Sequence, residues 1–141
     1  MSRLAGTVLP VGKATIPSNL DAAREIEDRL LKEVARHGYS EASVFAIKLS
    51  LEEGLNNAVK HGNCFDRSKT IEVEYEIGPK KAMITIRDEG CGFRPGRVPD
   101  PTTDENLEKP SGRGIMLMKA YMDEVHFNQQ GNEVRMIKWN A

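Results

Sequence analysis

The segment that decides the fold is Leu49-Ser50-Leu51-Glu52-Glu53-Gly54-Leu55-Asn56-Asn57-Ala58-Val59-Lys60-His61-Gly62. It is predicted to form the second half of a helix that begins near Ser40, because serine is a good N-cap residue. Gly62 is a typical helix end. Apolar residues recur at steps of three and four along this helix and form one stripe that is expected to face a core. They are Val44, Ile47, Leu51, Leu55 and Ala58.

Two polar residues lie on a different face of the same predicted helix. Glu53 and Asn57 are four residues apart, so a carboxylate and a carboxamide lie one turn apart on one side. On this helix alone, an ordinary solvated face explains the pair as well as a functional site does.

Length and composition limit the class of protein. The 141 residues are expected to form one domain, residues 1–141, that needs no disulfide or metal to fold. A net charge of −1 argues against direct nucleic-acid binding, because phosphate contacts need a surplus of Lys and Arg. Cys64 and Cys91 predict neither a disulfide framework nor a zinc site. Without a signal or membrane-spanning segment, a cytoplasmic protein with no membrane contact is expected.

The order of predicted elements is strand, two helices, two strands, helix, two strands. The strands alternate apolar and polar residues, and turn residues separate them. This order predicts an α+β fold, a two-layer sandwich with helices on one face of a mostly antiparallel, mixed sheet. The predicted helices cover residues 18–37, with Ser18 as the cap, 40–61 and about 115–122; the predicted strands lie within 4–16 and over 70–77, 82–88, 125–129 and 133–139.

Two glycine motifs lie downstream of the helix. Asp88-Glu89-Gly90-Cys91-Gly92 follows a predicted strand, where glycines permit positive φ or close approach to a flat ligand. Ser111-Gly112-Arg113-Gly114-Ile115 immediately precedes a predicted helix, whose free N–H groups can hold an anion. Taken singly, an ordinary turn and an ordinary helix start are the favoured explanations of the two motifs.

The order and spacing of the three motifs resemble the ATP-site boxes of the GHKL superfamily, which groups gyrase, Hsp90-type, histidine-kinase and MutL ATPases. The segment from Glu53 to Gly62 is similar more specifically to the anti-sigma-factor serine/threonine kinases, the RsbW-like branch. Ser111-Gly-Arg-Gly-Ile-Met and Met122-Asp123-Glu124-Val125 resemble that branch as well. The resemblance extends from about Thr15 to Trp139.

The resemblance implies a role for each motif residue. Asn57 matches the magnesium ligand, Glu53 the general base, and Asp88 the aspartate that recognises adenine. The ATP lid would cover about residues 93–111. The other residues implied to bind ATP are Gly90 and Gly92 beside the base, Gly112 and Gly114 with Ile115 at the phosphates, and Lys60, His61 and Arg113 as further phosphate contacts.

By the same resemblance, the chain would be an ATP- and Mg²⁺-dependent serine/threonine kinase and a partner switch. It would bind a sigma factor or another output protein, phosphorylate a small STAS-type anti-sigma antagonist, and form a homodimer. Two alternatives remain open, an ATP-gated binding module without phosphotransfer and a stand-alone histidine-kinase-like ATPase. The chain departs from many relatives near the last strand, where Gly131-Asn132-Glu133-Val134 lacks the usual threonine of the adenine site.

Overall fold

The computed structural model describes residues 11–90 and 110–140, with side chains from 116 onward in the second range. Within these ranges, five strands and three α-helices follow one another along the chain. The strands are β1 (Val11–Pro17), β2 (Thr70–Ile77), β3 (Lys81–Asp88), β4 (Glu124–Phe127) and β5 (Glu133–Trp139). The helices are α1 (Leu20–Arg36), α2 (Glu41–Asn57) and α3 (Pro110–Tyr121), and a π-helical turn (Ala58–Gly62) continues α2.

The strands form one sheet in the order β1-β2-β3-β5-β4, and each neighbouring pair is antiparallel. Alternate residues of the strands are buried, as the period of two requires for a sheet covered on one face. The predicted α+β architecture is therefore confirmed. The core between the sheet and the helices includes the fully buried side chains Ile26, Leu30, Ile47, Leu51, Leu55, Ile71, Ile84, Ile86 and Met136.

The other face of the sheet is polar. Arg87 on β3 pairs with Glu72 on β2 at 2.7 Å and with Glu133 on β5 at 2.5 Å. These charges lie on three adjacent strands, and Arg87 stands directly opposite both glutamates in the register. The alternation of apolar and charged residues in the sequence therefore corresponds to a covered face and an open face.

Two predicted helix starts are corrected. Asn19, and not Ser18, caps α1, because its Oδ1 accepts a hydrogen bond from Ala22 N at 2.8 Å. Ser18 is buried instead, and its Oγ accepts from Asn63 Nδ2 at 3.0 Å. α3 begins at Pro110 and not near Ile115, since proline fits the first turn of a helix, where no N–H is needed.

α2 begins as predicted and ends differently. Ser40 Oγ accepts from Ser43 N at 3.1 Å, which confirms Ser40 as the N-cap. The α-helical hydrogen bonds stop at Asn57, and the chain widens into the π-helical turn before Asn63. Such single turns of π-helix are rare and concentrate at functional sites.

The expectation about cysteine is wrong at one position. Cys64 is disulfide-bonded. The other cysteine of the sequence, Cys91, lies outside the described residues.

Candidate functional site

The π-helical turn brings Gly62 against Asp88 at the end of β3. A Cβ atom built on Gly62 would overlap the carboxylate carbon and both carboxylate oxygens of Asp88. Gly62 is therefore a seat for this side chain, and any larger residue would displace the carboxylate. The sequence assigned Gly62 a role as a helix end, but its φ is not positive and the reason for glycine is space.

Backbone groups fix the Asp88 carboxylate from the other side. Gly90 N donates to Asp88 Oδ1 at 2.8 Å, and Gly90 adopts a φ of 77°, the left-handed conformation that glycine permits. Lys69 Nζ donates to Gly90 O and so closes the turn. The predicted positive φ at Gly90 is confirmed, and the motif forms a tight loop around one carboxylate oxygen.

Burial changes the acidity of this group. Desolvation raises the pKa of Asp88 to about 6, while the Gly90 N–H and the positive charge of Lys69 act in the opposite direction. A half-buried carboxylate is a strong hydrogen-bond acceptor when it is ionised. The exocyclic amine of a purine is a matching donor.

Glu53 and Asn57 lie on α2, which packs against the sheet. A Cβ atom on Gly54 would lie 2.8 Å from Ile86 Cδ1, so the helix backbone at Gly54 lies close to β3. Along the helix, Asn57 lies between this contact and the Gly62 seat. Both polar side chains are half-buried. Both residues lie within α2, so the predicted one-turn spacing holds, and their place beside Asp88 remains a prediction.

The two basic residues of the segment lie on the π-helical turn itself. Lys60 and His61 are both exposed and adjoin Gly62. Their position next to the Asp88 seat is compatible with phosphate contacts, and these assignments remain predictions.

The remaining predicted residues fall outside or at the margin of the described part. Gly92 and lid residues 93–109 lie outside the described residues, as do the side chains of Arg113 and Ile115. Gly112 and Gly114 lie within α3 and not ahead of it, because the helix begins at Pro110. In this position Gly112 keeps a free first-turn N–H, whereas the N–H of Gly114 lies within the helical hydrogen-bonding pattern.

Asn57 at the start of the π-helical turn is the residue predicted to hold magnesium. Among the described residues, no group of three or more His, Cys, Asp and Glu side chains can hold a metal ion. Magnesium usually takes one or two protein oxygens and completes its shell with waters and substrate phosphates. The carboxamide oxygen of Asn57 fits that habit.

Two asparagines of this region were not predicted. Asn63 is fully buried directly after the π-helical turn, and Asn132 lies in the turn before β5. Both bond to the backbone around Asp88. Asn132 was noted only as a departure from the family pattern, and nothing in the local sequence distinguishes Asn63 from a polar loop residue.

Comparison with known proteins supplies the family. Residues 16–138 match the family model described as the histidine kinase-like ATPase domain. This match covers nearly all of the described residues.

The chain belongs to the histidine kinase-like ATPase family. Its curated relatives include a serine-protein kinase and an anti-sigma F factor. The chain is 30% identical over 113 residues to the serine-protein kinase RsbW of Oceanobacillus iheyensis, and the match covers 75% of this chain and 72% of that protein. It is 32% identical over 90 residues to the anti-sigma F factor of Clostridium perfringens, covering 62% of this chain and 64% of the relative.

A solved structure supports the ATPase-family fold. The structure of the RsbU and RsbW domains of Rv1364c from Mycobacterium tuberculosis matches with a TM-score of 0.60 over 93% of this chain and 32% of that chain. At 17% sequence identity, this likeness concerns the fold. No helix within the described residues of this family member is long and apolar enough to cross a membrane.

Proposed function

We propose that the chain is an ATP- and Mg²⁺-dependent serine/threonine protein kinase that acts as an anti-sigma partner switch. One observation carries the proposal: the Asp88 carboxylate is seated on Gly62, so the adenine motif and the end of the Glu53–Asn57 helix meet at one place. The names of the relatives, an anti-sigma F factor and a serine-protein kinase, support this choice over a generic ATPase.

In the proposed site, each element has a separate task. Asp88 accepts a hydrogen bond from the adenine amine, and Asn57 holds the metal that neutralises the triphosphate. Glu53 accepts the proton of the attacking hydroxyl, since phosphoryl transfer otherwise requires mainly positioning and charge neutralisation. Lys60, His61, Gly90, Gly92 and the 112–115 segment are proposed as further nucleotide contacts.

The proposed partners are those that the resemblance to the anti-sigma kinase branch implies. One is a sigma factor or another output protein, and the other is a small STAS-type antagonist that receives the phosphate on Ser or Thr. We propose a homodimer in the cytoplasm with no direct nucleic-acid contact.

Nucleotide binding tests the pocket. We expect Mg-ATP to bind wild type and to be lost from Asp88→Asn. Asparagine replaces one carboxylate oxygen with an NH2 group, which cannot accept a hydrogen bond from the adenine amine. Titration calorimetry measures both proteins. Unchanged affinity in Asp88→Asn would show that the pocket has been assigned to the wrong residue.

Phosphotransfer tests the chemistry. The chain offers a matched pair of variants, because Glu53 and its neighbour Glu52 have the same side chain, and Glu52 instead bonds to Lys48 at 2.7 Å. Labelled terminal phosphate from Mg-ATP is followed into small proteins of the native lysate. We expect acid-stable label with wild type and Glu52→Gln, and none with Glu53→Gln.

The other outcomes identify the alternatives. Acid-labile label would favour a histidine-kinase-like enzyme. Bound ATP without any label would favour an ATP-gated binding module. Equal loss of label in Glu52→Gln and Glu53→Gln would contradict the specific role of Glu53.

A further inference from the structure

The peptide group between Asp88 and Glu89 is held at both of its polar ends by asparagine side chains. Asn63 Oδ1 accepts from Glu89 N at 2.9 Å. Asn132 Nδ2 donates to Asp88 O at 3.1 Å. The N–H and C=O of one peptide are thus both fixed by side chains, beyond the last ladder bonds of the sheet.

Further hydrogen bonds hold Asn63 in place at the N–H end of this peptide. It is 0% exposed, and its Nδ2 donates to Ser18 Oγ and to Thr70 O, both at 3.0 Å. Its own N–H donates to Ala58 O at 2.8 Å and closes the π-helical turn. Asn63 therefore links the segment that carries the Gly62 seat to the segment that carries Asp88.

Asn132 holds the opposite end through a second set of bonds. Its carbonyl oxygen accepts from Asp88 N at 2.9 Å, in addition to the bond from its side chain. Asn128 orients the amide, because Asn128 Nδ2 donates to Asn132 Oδ1 at 2.6 Å. Asp88 is thus bonded at both its N–H and its C=O to one residue.

We propose that Asn63 and Asn132 are positioning residues, and that this asparagine clamp sets the direction of the Asp88 carboxylate and thereby the selectivity for a 6-aminopurine nucleotide. The proposal rests on the proposed ATP function. The bond from Asp88 N to Asn132 O holds the backbone before Asp88, and the two amides hold the peptide after it. The backbone of Asp88 is thus fixed on both sides, so its carboxylate meets a purine amine with less further ordering. Only an amide supplies the donors and the acceptor that Asn63 uses at once.

The test compares Asn132→Ala and Asn63→Asp with Ser18→Ala. Asn132→Ala removes the bond to Asp88 O. Asn63→Asp keeps an acceptor for Glu89 N but loses both donors and faces Thr70 O with a carboxylate. Ser18→Ala removes one bond from the same Asn63 amide without touching the Asp88 peptide, so it controls for a general loss of packing.

The readout is the ratio of ATP to GTP affinity, measured with the magnesium complexes of both at a temperature where each variant is folded. We expect ATP affinity to fall about 10-fold in Asn132→Ala and Asn63→Asp with GTP affinity little changed, since a mispositioned acceptor costs about one hydrogen bond. The ratio therefore falls about 10-fold. In Ser18→Ala we expect a lower melting temperature and an unchanged ratio.

Each failure has its own signature. Suppose that wild type binds ATP and Asp88→Asn does not. If Asn132→Ala then keeps the wild-type ratio of ATP to GTP affinity, the clamp proposal is wrong and the proposed ATP site stands. If Ser18→Ala lowers the ratio as much as the clamp variants do, the asparagines act through stability alone and the proposal is overturned. If wild type does not bind ATP, both proposals fall. Should Asn63→Asp fail to fold, Asn132→Ala decides.

Discussion

Glu27 and Asp88 both have a pKa raised by burial, to about 7 and about 6, but they lie in different surroundings. Glu27 is 8% exposed on α1 and faces α2, where it shares a hydrogen bond with Glu52. Glu52 in turn bonds to Lys48 at 2.7 Å. Asp88 faces a glycine and the backbone of its own turn.

This difference separates a structural acid from a candidate binding acid. The proton that Glu27 retains up to about pH 7 is shared within the pair, because Glu52 accepts it while remaining ionised beside Lys48. The described residues give the side chain of Asp88 one hydrogen bond, from Gly90 N. The raised pKa is common to both acids. The geometry of the partners distinguishes the two.

The largest effect is expected from Gly62→Ala. The added methyl group occupies the position of the Asp88 carboxylate, so the acceptor must move away from the purine. We expect ATP affinity to fall about 100-fold, the cost of losing a charge-assisted hydrogen bond. Titration calorimetry at 25 °C measures it.

Gly54→Ala is the matched control for that substitution. It adds the same methyl group to the preceding helix, but against Ile86 Cδ1 at 2.8 Å. We expect a change in unfolding free energy and little change in ATP affinity. If the two variants lose affinity equally, the methyl group acts by disturbing α2 and not by displacing Asp88.

The second prediction concerns the pH dependence of binding. Because the carboxylate must be ionised to accept from adenine, we expect ATP affinity to be constant above a midpoint near pH 6 and to fall about tenfold per pH unit below it. In Lys69→Met the midpoint should move to higher pH, since the positive charge of Lys69 lowers the pKa of Asp88.

Comparing wild type with Lys69→Met isolates the contribution of Asp88 to the pH dependence. Protonation of the ATP phosphates is common to both titrations and cancels. A midpoint that is identical in wild type and Lys69→Met would assign the pH dependence to the nucleotide and would remove the support that the titration gives to Asp88.

The third prediction concerns stability and Glu27. Its pKa is about 7 in the folded protein and about 4.5 when unfolded, so protonation stabilises the fold. This contribution is complete below pH 4.5 and is lost as the pH rises through 7. Glu27→Gln resembles the protonated acid, and we expect it to be more stable than wild type by about 1–3 kcal/mol at pH 8.

Urea unfolding at a series of pH values between 4 and 8 measures this gain. It should be near zero at pH 4 and grow with pH, while ATP affinity remains that of wild type. A constant difference across the series would mean that Glu27 does not titrate in this range. Loss of ATP affinity would contradict the division between the two acids.

The sequence predicts those features of the molecule that depend on neighbours along the chain. Alternation predicted β2 and β3, and capping chemistry predicted the start of α2 at Ser40, because both are local properties. Asn63 was missed because two of its side-chain partners are 45 and 26 residues away, at Ser18 and Glu89.

The same argument applies to glycine. The need for glycine at position 90 follows from its own φ of 77° and is readable in a turn motif. The need at position 62 is set by Asp88, which lies on another element, so the sequence could only suggest a helix end. The motif order located the candidate site, and the contacts that shape it required the folded structure.

The smallest effect is expected from Lys48→Met, which removes the exposed cation beside the carboxyl pair. The charge of Lys48 lowers the pKa of Glu27, and its hydrogen bond lowers the pKa of Glu52. Without it the carboxyl pair holds its proton more strongly, so the pH at which stability declines should move upward. Arg36→Met is the control, because it breaks an exposed pair with Glu33 at the other end of α1. A midpoint that moves equally in both variants would show that net charge, and not the Lys48 contact, sets the titration of the pair.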